Sequence, residues 1–81
     1  MEIKVLGSGC ANCQTLLERV GQAVQKAGTK ATITKVTDMD VILSHGILRT
    51  PGLVIDGKLV TSGRVPSVDE IIALLSRSGA A

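Results

Sequence analysis

The feature that most constrains the fold of this chain is the place of its two cysteines. Cys10 and Cys13 are separated by two residues and are the only cysteines in the sequence. A strand-like run over residues 3–6 precedes them, and apolar residues recur at a helical spacing over residues 16–27. The pair is therefore predicted to lie where a strand passes into a helix. Unpaired N–H groups at a helix start favour a thiolate, so this setting indicates redox chemistry.

Length and composition exclude several classes of protein. With 81 residues, the chain is predicted to be a single domain over 1–81. Hydrophobic residues make up 44% of it, but Phe, Tyr and Trp are absent, so the core must be aliphatic and no aromatic platform can stack on bases. The net charge is only +2 and the basic residues are scattered, so no nucleic-acid partner is expected.

The N-terminal region moves directly into a strand pattern. No signal-peptide pattern and no apolar run of membrane-spanning length is present, so we expect a cytoplasmic protein without a membrane partner. In that compartment a CxxC pair is more often catalytic or metal-binding than a structural crosslink.

The chain is predicted to have the element order βαβαββα. The elements are a strand over 2–6, a helix over 11–27, a strand over 31–36, a short helix over 38–45, strands over 53–55 and 58–60, and a final helix from 67 to about 77. Residues 61–66 are predicted to be a loop. Capping boxes formed by Thr37 with Asp40 and by Ser67 with Glu70 are predicted to open the last two helices, and Asp56-Gly57 is predicted to close the hairpin.

This order predicts an α/β fold. The first strand, helix and strand form a parallel unit, whereas the hairpin adds an antiparallel pair. The sheet is therefore expected to be mixed and four-stranded, with helices on both faces because the run over 53–55 is uniformly apolar.

Three motifs run through the whole chain in order. They are Gly-Cys-Ala-Asn-Cys-Gln at 9–14, Thr-Pro-Gly-Leu-Val-Ile-Asp-Gly at 50–57 and Gly-Arg-Val at 63–65. In this order and spacing the sequence resembles the small thioredoxin-fold proteins called redox-active disulfide proteins, which are similar in size to glutaredoxins.

The resemblance implies a thiol–disulfide oxidoreductase of the protein-disulfide reductase type. Cys10 matches the attacking cysteine and Cys13 the resolving one, and the two would form the redox-active disulfide. Pro51 matches a proline held in the cis form beside the disulfide, Thr50 would pair its backbone with the substrate, and Gly63 would flatten the other wall of the groove. The implied partners are a protein disulfide and a reductase donor in an electron-transport chain, with no cofactor and no metal, and a monomer is expected.

The segment around the cysteines also departs from the pattern of typical thioredoxins. Ala11 and Asn12 replace Gly-Pro and are expected to contact substrate, and Gly9 replaces a tryptophan. Lys4 stands where thioredoxins carry a buried acid six residues before the first cysteine. Their acid helps to move a proton to and from the resolving thiol.

Alternatives to redox exchange remain open on the sequence alone. The same two thiolates could carry a soft metal or metalloid such as Cu(I) or As(III), although small heavy-metal-binding domains run βαββαβ and lack the helix over 38–45. A zinc site needs about four ligands, which two cysteines and one histidine could supply only in a dimer. An inert structural disulfide would add little stability across so short a loop, and a non-catalytic interaction module is a third class.

Finer expectations concern single residues. Cys10 is expected to be more exposed and more acidic than Cys13, which begins the apolar stripe of the helix. The Thr50–Pro51 bond is predicted to be cis and close to the cysteines. His45 is interpreted as a favourable charge at a helix C-terminus rather than as a catalytic group.

Overall fold

The computed structural model describes residues 1–7, 11–46 and 49–78, and its element order is the predicted βαβαββα. The elements are β1 (Glu2–Leu6), α1 (Ala11–Ala27), β2 (Thr32–Val36), α2 (Met39–Ser44), β3 (Gly52–Ile55), β4 (Lys58–Ser62) and α3 (Val68–Ser78).

The four strands form one mixed sheet in the order β2-β1-β3-β4. β1 pairs with β2 in parallel, whereas β3 runs antiparallel to both β1 and β4. This arrangement confirms the predicted parallel unit and the predicted hairpin. It also places β1 and β3 in the centre, so that the loops following β1 and preceding β3 meet at one end of the sheet, where Leu6 pairs with Gly52.

Both faces of the sheet carry helices, as the sequence predicted. α1 and α3 pack together on one face over a core formed by Ile3, Val5, Leu16, Val20, Ala23, Leu53, Ile55, Ile71 and Leu75. On the other face α2 contributes a single buried residue, Ile42, which packs against Leu6 and Val54. The alternation of side chains along β1 and β3 sorts the apolar residues between these two clusters.

The loop predicted over 61–66 begins later than expected, because β4 continues to Ser62. Thr61 pairs with Leu53 and Ser62 with Gly52, beyond an irregularity that shifts the register between Leu53 and Val54. The apolar run after the turn ends at Val60, so the sequence pattern alone stopped the strand too early. The extension brings the end of β4 beside the start of β3.

The two predicted capping boxes have different outcomes. The N-cap of α2 is Asp38 and not Thr37, because the Asp38 carboxylate accepts hydrogen bonds from the N–H groups of Asp40 and Val41. At α3 the Ser67 hydroxyl accepts the Glu70 N–H at 3.1 Å, as predicted.

The turn between β3 and β4 also forms hydrogen bonds with β1. Asp56 and Gly57 have φ values of 48° and 82°, the left-handed conformation expected for an Asp-Gly turn. The Asp56 carboxylate accepts the Glu2 N–H and the Asp56 N–H donates to the Glu2 carbonyl, both at 2.7 Å. The turn therefore closes the end of the sheet opposite to the pairing of Leu6 with Gly52.

Because α2 is held by one buried side chain, its attachment can be tested by a single truncation. We expect Ile42→Ala to lower the free energy of unfolding by about 2–4 kcal/mol, since it removes a fully buried side chain. The matched control Leu43→Ala, at a position 54% exposed on the same helix, should change it by no more than about 0.5 kcal/mol. Urea denaturation of both variants measures the difference, and equal losses would contradict this account of α2.

Candidate active site

The sulfur of Cys13 is enclosed between the start of α1 and the end of β1. Cys13 is the third residue of α1 and is 3% exposed. A Cβ built on Gly7, the residue after β1, would overlap the Cys13 Sγ. Gly7 itself is buried and fixed by its N–H, which donates to the Val36 carbonyl at 2.9 Å. Only a residue without a side chain therefore fits beside this sulfur.

Thr50 and Pro51 approach the same point from the other central strand. The Thr50–Pro51 peptide bond is cis, as predicted. The Thr50 Cβ lies 3.9 Å from the position that a Cβ on Gly7 would occupy, so Thr50 and Cys13 both border Gly7. Pro51 is buried, and β3 begins at the next residue. The predicted nearness of this segment to the cysteine motif is thus confirmed for Cys13.

Gly63 follows β4 and contacts the cis segment. Its N–H donates to the Pro51 carbonyl at 2.9 Å, which joins the end of β4 to the cis segment. Gly63 has a φ of 74°, a conformation that side chains rarely tolerate. A Cβ there would also lie 3.0 Å from the Arg49 Cβ. Both conditions favour glycine at this position.

α1 is also tied to the loop that follows Gly63. The Arg19 guanidinium donates to the carbonyls of Val65 and Pro66, at 3.4 and 3.2 Å. The helix that carries Cys13 and the loop next to Pro51 are therefore held at a fixed distance.

The other residues singled out in the sequence are Cys10, Ala11, Asn12 and His45. Cys10 lies outside the described residues. Ala11 and Asn12 open α1 and are both exposed, so they are accessible to a bound molecule. His45 is the C-cap of α2, and its Nδ1 lies 2.9 Å from the Val41 carbonyl, in agreement with a role at the helix end.

Lys4 lies on the face of the sheet opposite to α1. It pairs with Val54, which belongs to the cluster under α2, and its ammonium is 3.4 Å from the Glu2 carboxylate. Its side chain is therefore directed away from the Cys13 side of the sheet.

Sequence reasoning missed two residues at this site. Gly7 received no role from the sequence, although a glycine at the end of the first strand and three residues before Cys10 could have suggested a close approach. Arg49 has no motif of its own, and its contact with Gly63 depends on the antiparallel pairing of β3 and β4.

Comparisons with known proteins agree with this geometry. The family model described as the thioredoxin domain matches residues 1–76. The chain belongs to the thioredoxin family. A thioredoxin of Methanothermobacter thermautotrophicus is 45% identical over 76 residues, which cover 94% of this chain and 99% of that protein. A thioredoxin of Methanocaldococcus jannaschii is 41% identical over 69 residues, covering 85% and 79%.

Membership in the thioredoxin family supports thiol–disulfide oxidoreductase activity. The alternative of a soft-metal or metalloid carrier receives no support from these relatives. No helix within the described ranges is both long enough and apolar enough to cross a membrane.

The close contact between Gly7 and the Cys13 sulfur can be tested by measuring the stability of an alanine variant of this thioredoxin-family protein. Gly7→Ala should displace the Cys13 sulfur or the strand end, and we expect it to lower the free energy of unfolding by about 1–3 kcal/mol. The matched control is Gly21→Ala within α1, where a Cβ would meet no atom within 4 Å. That change should raise the free energy of unfolding by up to about 1 kcal/mol, because alanine favours a helix.

Chemical denaturation of both variants under one set of redox conditions gives the comparison. A Gly7→Ala variant as stable as the unchanged protein, or no less stable than Gly21→Ala, would show that the enclosed sulfur does not require glycine.

Proposed function

We propose that this protein reduces protein disulfides through Cys10 and Cys13. The observation that carries the proposal is the convergence of Cys13, at the start of α1, with Gly7 and the cis Thr50–Pro51 segment. Family membership supports the reaction type, and the convergence supports the assignment to these residues.

The roles of the two cysteines follow from accessibility. Cys13 is 3% exposed, so a disulfide in a folded partner cannot reach its sulfur directly. Cys10 precedes the first turn of α1 in the sequence, where N–H groups without helical acceptors stabilise a thiolate. We therefore assign the first attack to Cys10 and the second step to Cys13.

The proposed reaction balances in two steps. The Cys10 thiolate attacks one sulfur of the substrate disulfide, forms a mixed disulfide and releases the other substrate sulfur as a thiolate. Cys13, as a thiolate, then attacks the Cys10 sulfur, forms the Cys10–Cys13 disulfide and releases the second substrate thiolate. The substrate gains two electrons and takes up two protons, and the protein is oxidised until a dithiol donor reduces it.

The main-chain groups of Thr50, which are unpaired among the described residues, support the proposal that an extended substrate segment binds in a groove beside this residue. No main-chain hydrogen bond joins Thr50 to another residue in the described part of the chain, and the strand pairing of β3 starts only at Gly52. The Pro51 carbonyl is occupied by Gly63. The Thr50 backbone is thus available to pair with the substrate, while exposed Ala11 and Asn12 would border it from α1.

The proposal also covers the cellular compartment, the oligomeric state and the partners of the protein. The protein would act as a cytoplasmic monomer, with a protein disulfide as substrate and a separate reductase as electron donor. A reducing compartment suits a dithiol that must be regenerated after each turnover. Trapping partners on Cys13→Ser would identify the substrate, because its disulfide is captured by the Cys10 thiolate.

Serine substitutions separate the two cysteine roles. Cys10→Ser should abolish reduction of insulin, since no thiol remains that can reach the substrate. Cys13→Ser should also stop turnover but retain a stable mixed disulfide on Cys10, visible by intact mass. With iodoacetamide near neutral pH, Cys10 of the reduced protein should be labelled before Cys13.

Mass mapping of the labelled protein identifies the first alkylated cysteine. If Cys13 is labelled first, or if the mixed disulfide accumulates on Cys10→Ser instead, the roles are reversed. If neither cysteine is needed for insulin reduction, the proposed function is wrong.

A further inference from the structure

We propose that Arg49 selects substrates by binding a carboxylate that lies beside the disulfide-forming cysteine of a partner protein. The inference rests on the proposed function, because it concerns which disulfides the groove accepts. It assigns Arg49 as a specificity-determining residue and acidic disulfide-bearing segments as the preferred substrates.

The position of Arg49 is fixed by its neighbours. It directly precedes the cis Thr50–Pro51 segment in the sequence. Its aliphatic stem lies against the backbone of Gly63, since a Cβ built there would be 3.0 Å from the Arg49 Cβ and 3.3 Å from its Cδ. Gly63 in turn donates to the Pro51 carbonyl. The stem is therefore packed at the edge of the proposed groove rather than extended freely into solvent.

The charge of Arg49 has no partner among the described residues. Arg49 is exposed, and none of the described carboxylates lies within 4.0 Å of its guanidinium. The nearby Arg64 differs, because it donates a hydrogen bond to Glu70 at 2.9 Å. That bond, with the charge of Arg64, holds the pKa of the Glu70 carboxyl below its ordinary value.

Two other described cations, Arg19 and Lys4, are already engaged and do not compete for this role. Arg19 donates to two loop carbonyls, and Lys4 lies on the opposite face beside Glu2. Among the described residues, no acceptor engages the Arg49 guanidinium, which lies at the edge of the proposed groove. A guanidinium binds a carboxylate through two parallel hydrogen bonds, which gives both attraction and orientation.

The substrate geometry makes such a contact possible. A segment that pairs with the Thr50 backbone must run past the residue before Thr50, so a side chain flanking its cysteine would come next to Arg49. An Asp or Glu there would be attracted, and a Lys or Arg would be repelled. The expected size of the effect is that of an exposed ion pair, about three- to fivefold in kcat/KM.

The experiment compares Arg49→Gln with the matched control Arg64→Gln. Three peptide disulfides, identical except for Glu, Gln or Lys beside the cysteine, are reduced by each protein, and kcat/KM is measured. We expect the wild type to have its highest kcat/KM on the Glu peptide. Arg49→Gln should lower kcat/KM on the Glu peptide by about three- to fivefold and leave kcat/KM on the Gln peptide unchanged. Arg64→Gln should keep the wild-type order, and Arg49→Lys should recover part of the preference.

Ionic strength gives a second readout that a purely structural role would not produce. The preference for the Glu peptide should shrink at 0.5 M salt, where the Debye length is only about 4 Å. Arg49→Gln should show no comparable salt dependence. Oxidised glutathione, which also carries carboxylates, is tested as a small-molecule disulfide substrate beside the peptides.

Each other outcome overturns a distinct claim. An equal loss by Arg49→Gln on all three peptides would assign Arg49 to groove structure, and the absence of a charge preference in the wild type would reject selection. A larger Arg49→Gln effect on oxidised glutathione than on the Glu peptide would overturn the protein substrate in favour of a small disulfide. If the wild type reduces no disulfide at all, the proposed function fails and this inference with it.

Discussion

The contact between Gly7 and the Cys13 sulfur is the constraint on which the rest of the site depends. It fixes the distance between the end of β1 and the first turn of α1, because no side chain fits between them. The same glycine lies next to Thr50, so one small residue sets the approach of two segments that are far apart in sequence. The sulfur is consequently enclosed on the side of the sheet while the start of the helix stays exposed. In the proposed function, the burial of the Cys13 sulfur is the reason for assigning the first attack to Cys10 and the second step to Cys13.

The two faces of the sheet serve different purposes. The face under α1 and α3 holds most of the buried side chains and therefore most of the hydrophobic stabilisation. The face under α2 holds a small cluster, and beyond it β1 presents Glu2 and Lys4. α1, which carries Cys13, belongs to the strongly packed face. Because Arg19 also joins α1 to the loop after Gly63, changes at α2 can affect stability without displacing the groove.

The sequence was sufficient to predict the order of elements, the mixed sheet and the cis bond before β3. The order of elements and the mixed sheet depend on local patterns, such as the period of the apolar residues and the Asp-Gly turn, whereas the cis bond was expected from the resemblance to small thioredoxin-fold proteins. It was not sufficient for features that depend on register. The extension of β4 to Ser62 follows from pairing with Leu53 and Gly52 across a shifted register, which no local pattern reveals. The contact of Arg49 with Gly63 depends on the same register, so its position beside Gly63 was missed. At α2, two adjacent residues could both cap the helix, and only the geometry shows that Asp38 does so.

Lys4 stands where typical thioredoxins carry a buried acid, and its position in the structure changes the interpretation of this difference. An acid in this register would lie on the α2 face, since neighbouring Ile3 and Val5 face α1. Among the described residues the buried polar or charged side chains comprise Thr61 alone, so no buried carboxylate accompanies Cys13. In the proposed reaction the proton of Cys13 can leave to water or to the departing substrate thiolate. The second route couples deprotonation to the first attack, because that thiolate is formed within the groove just as Cys13 must become a nucleophile. A buried acid is then not required for resolution, provided that the substrate segment stays bound along Thr50 until the second step.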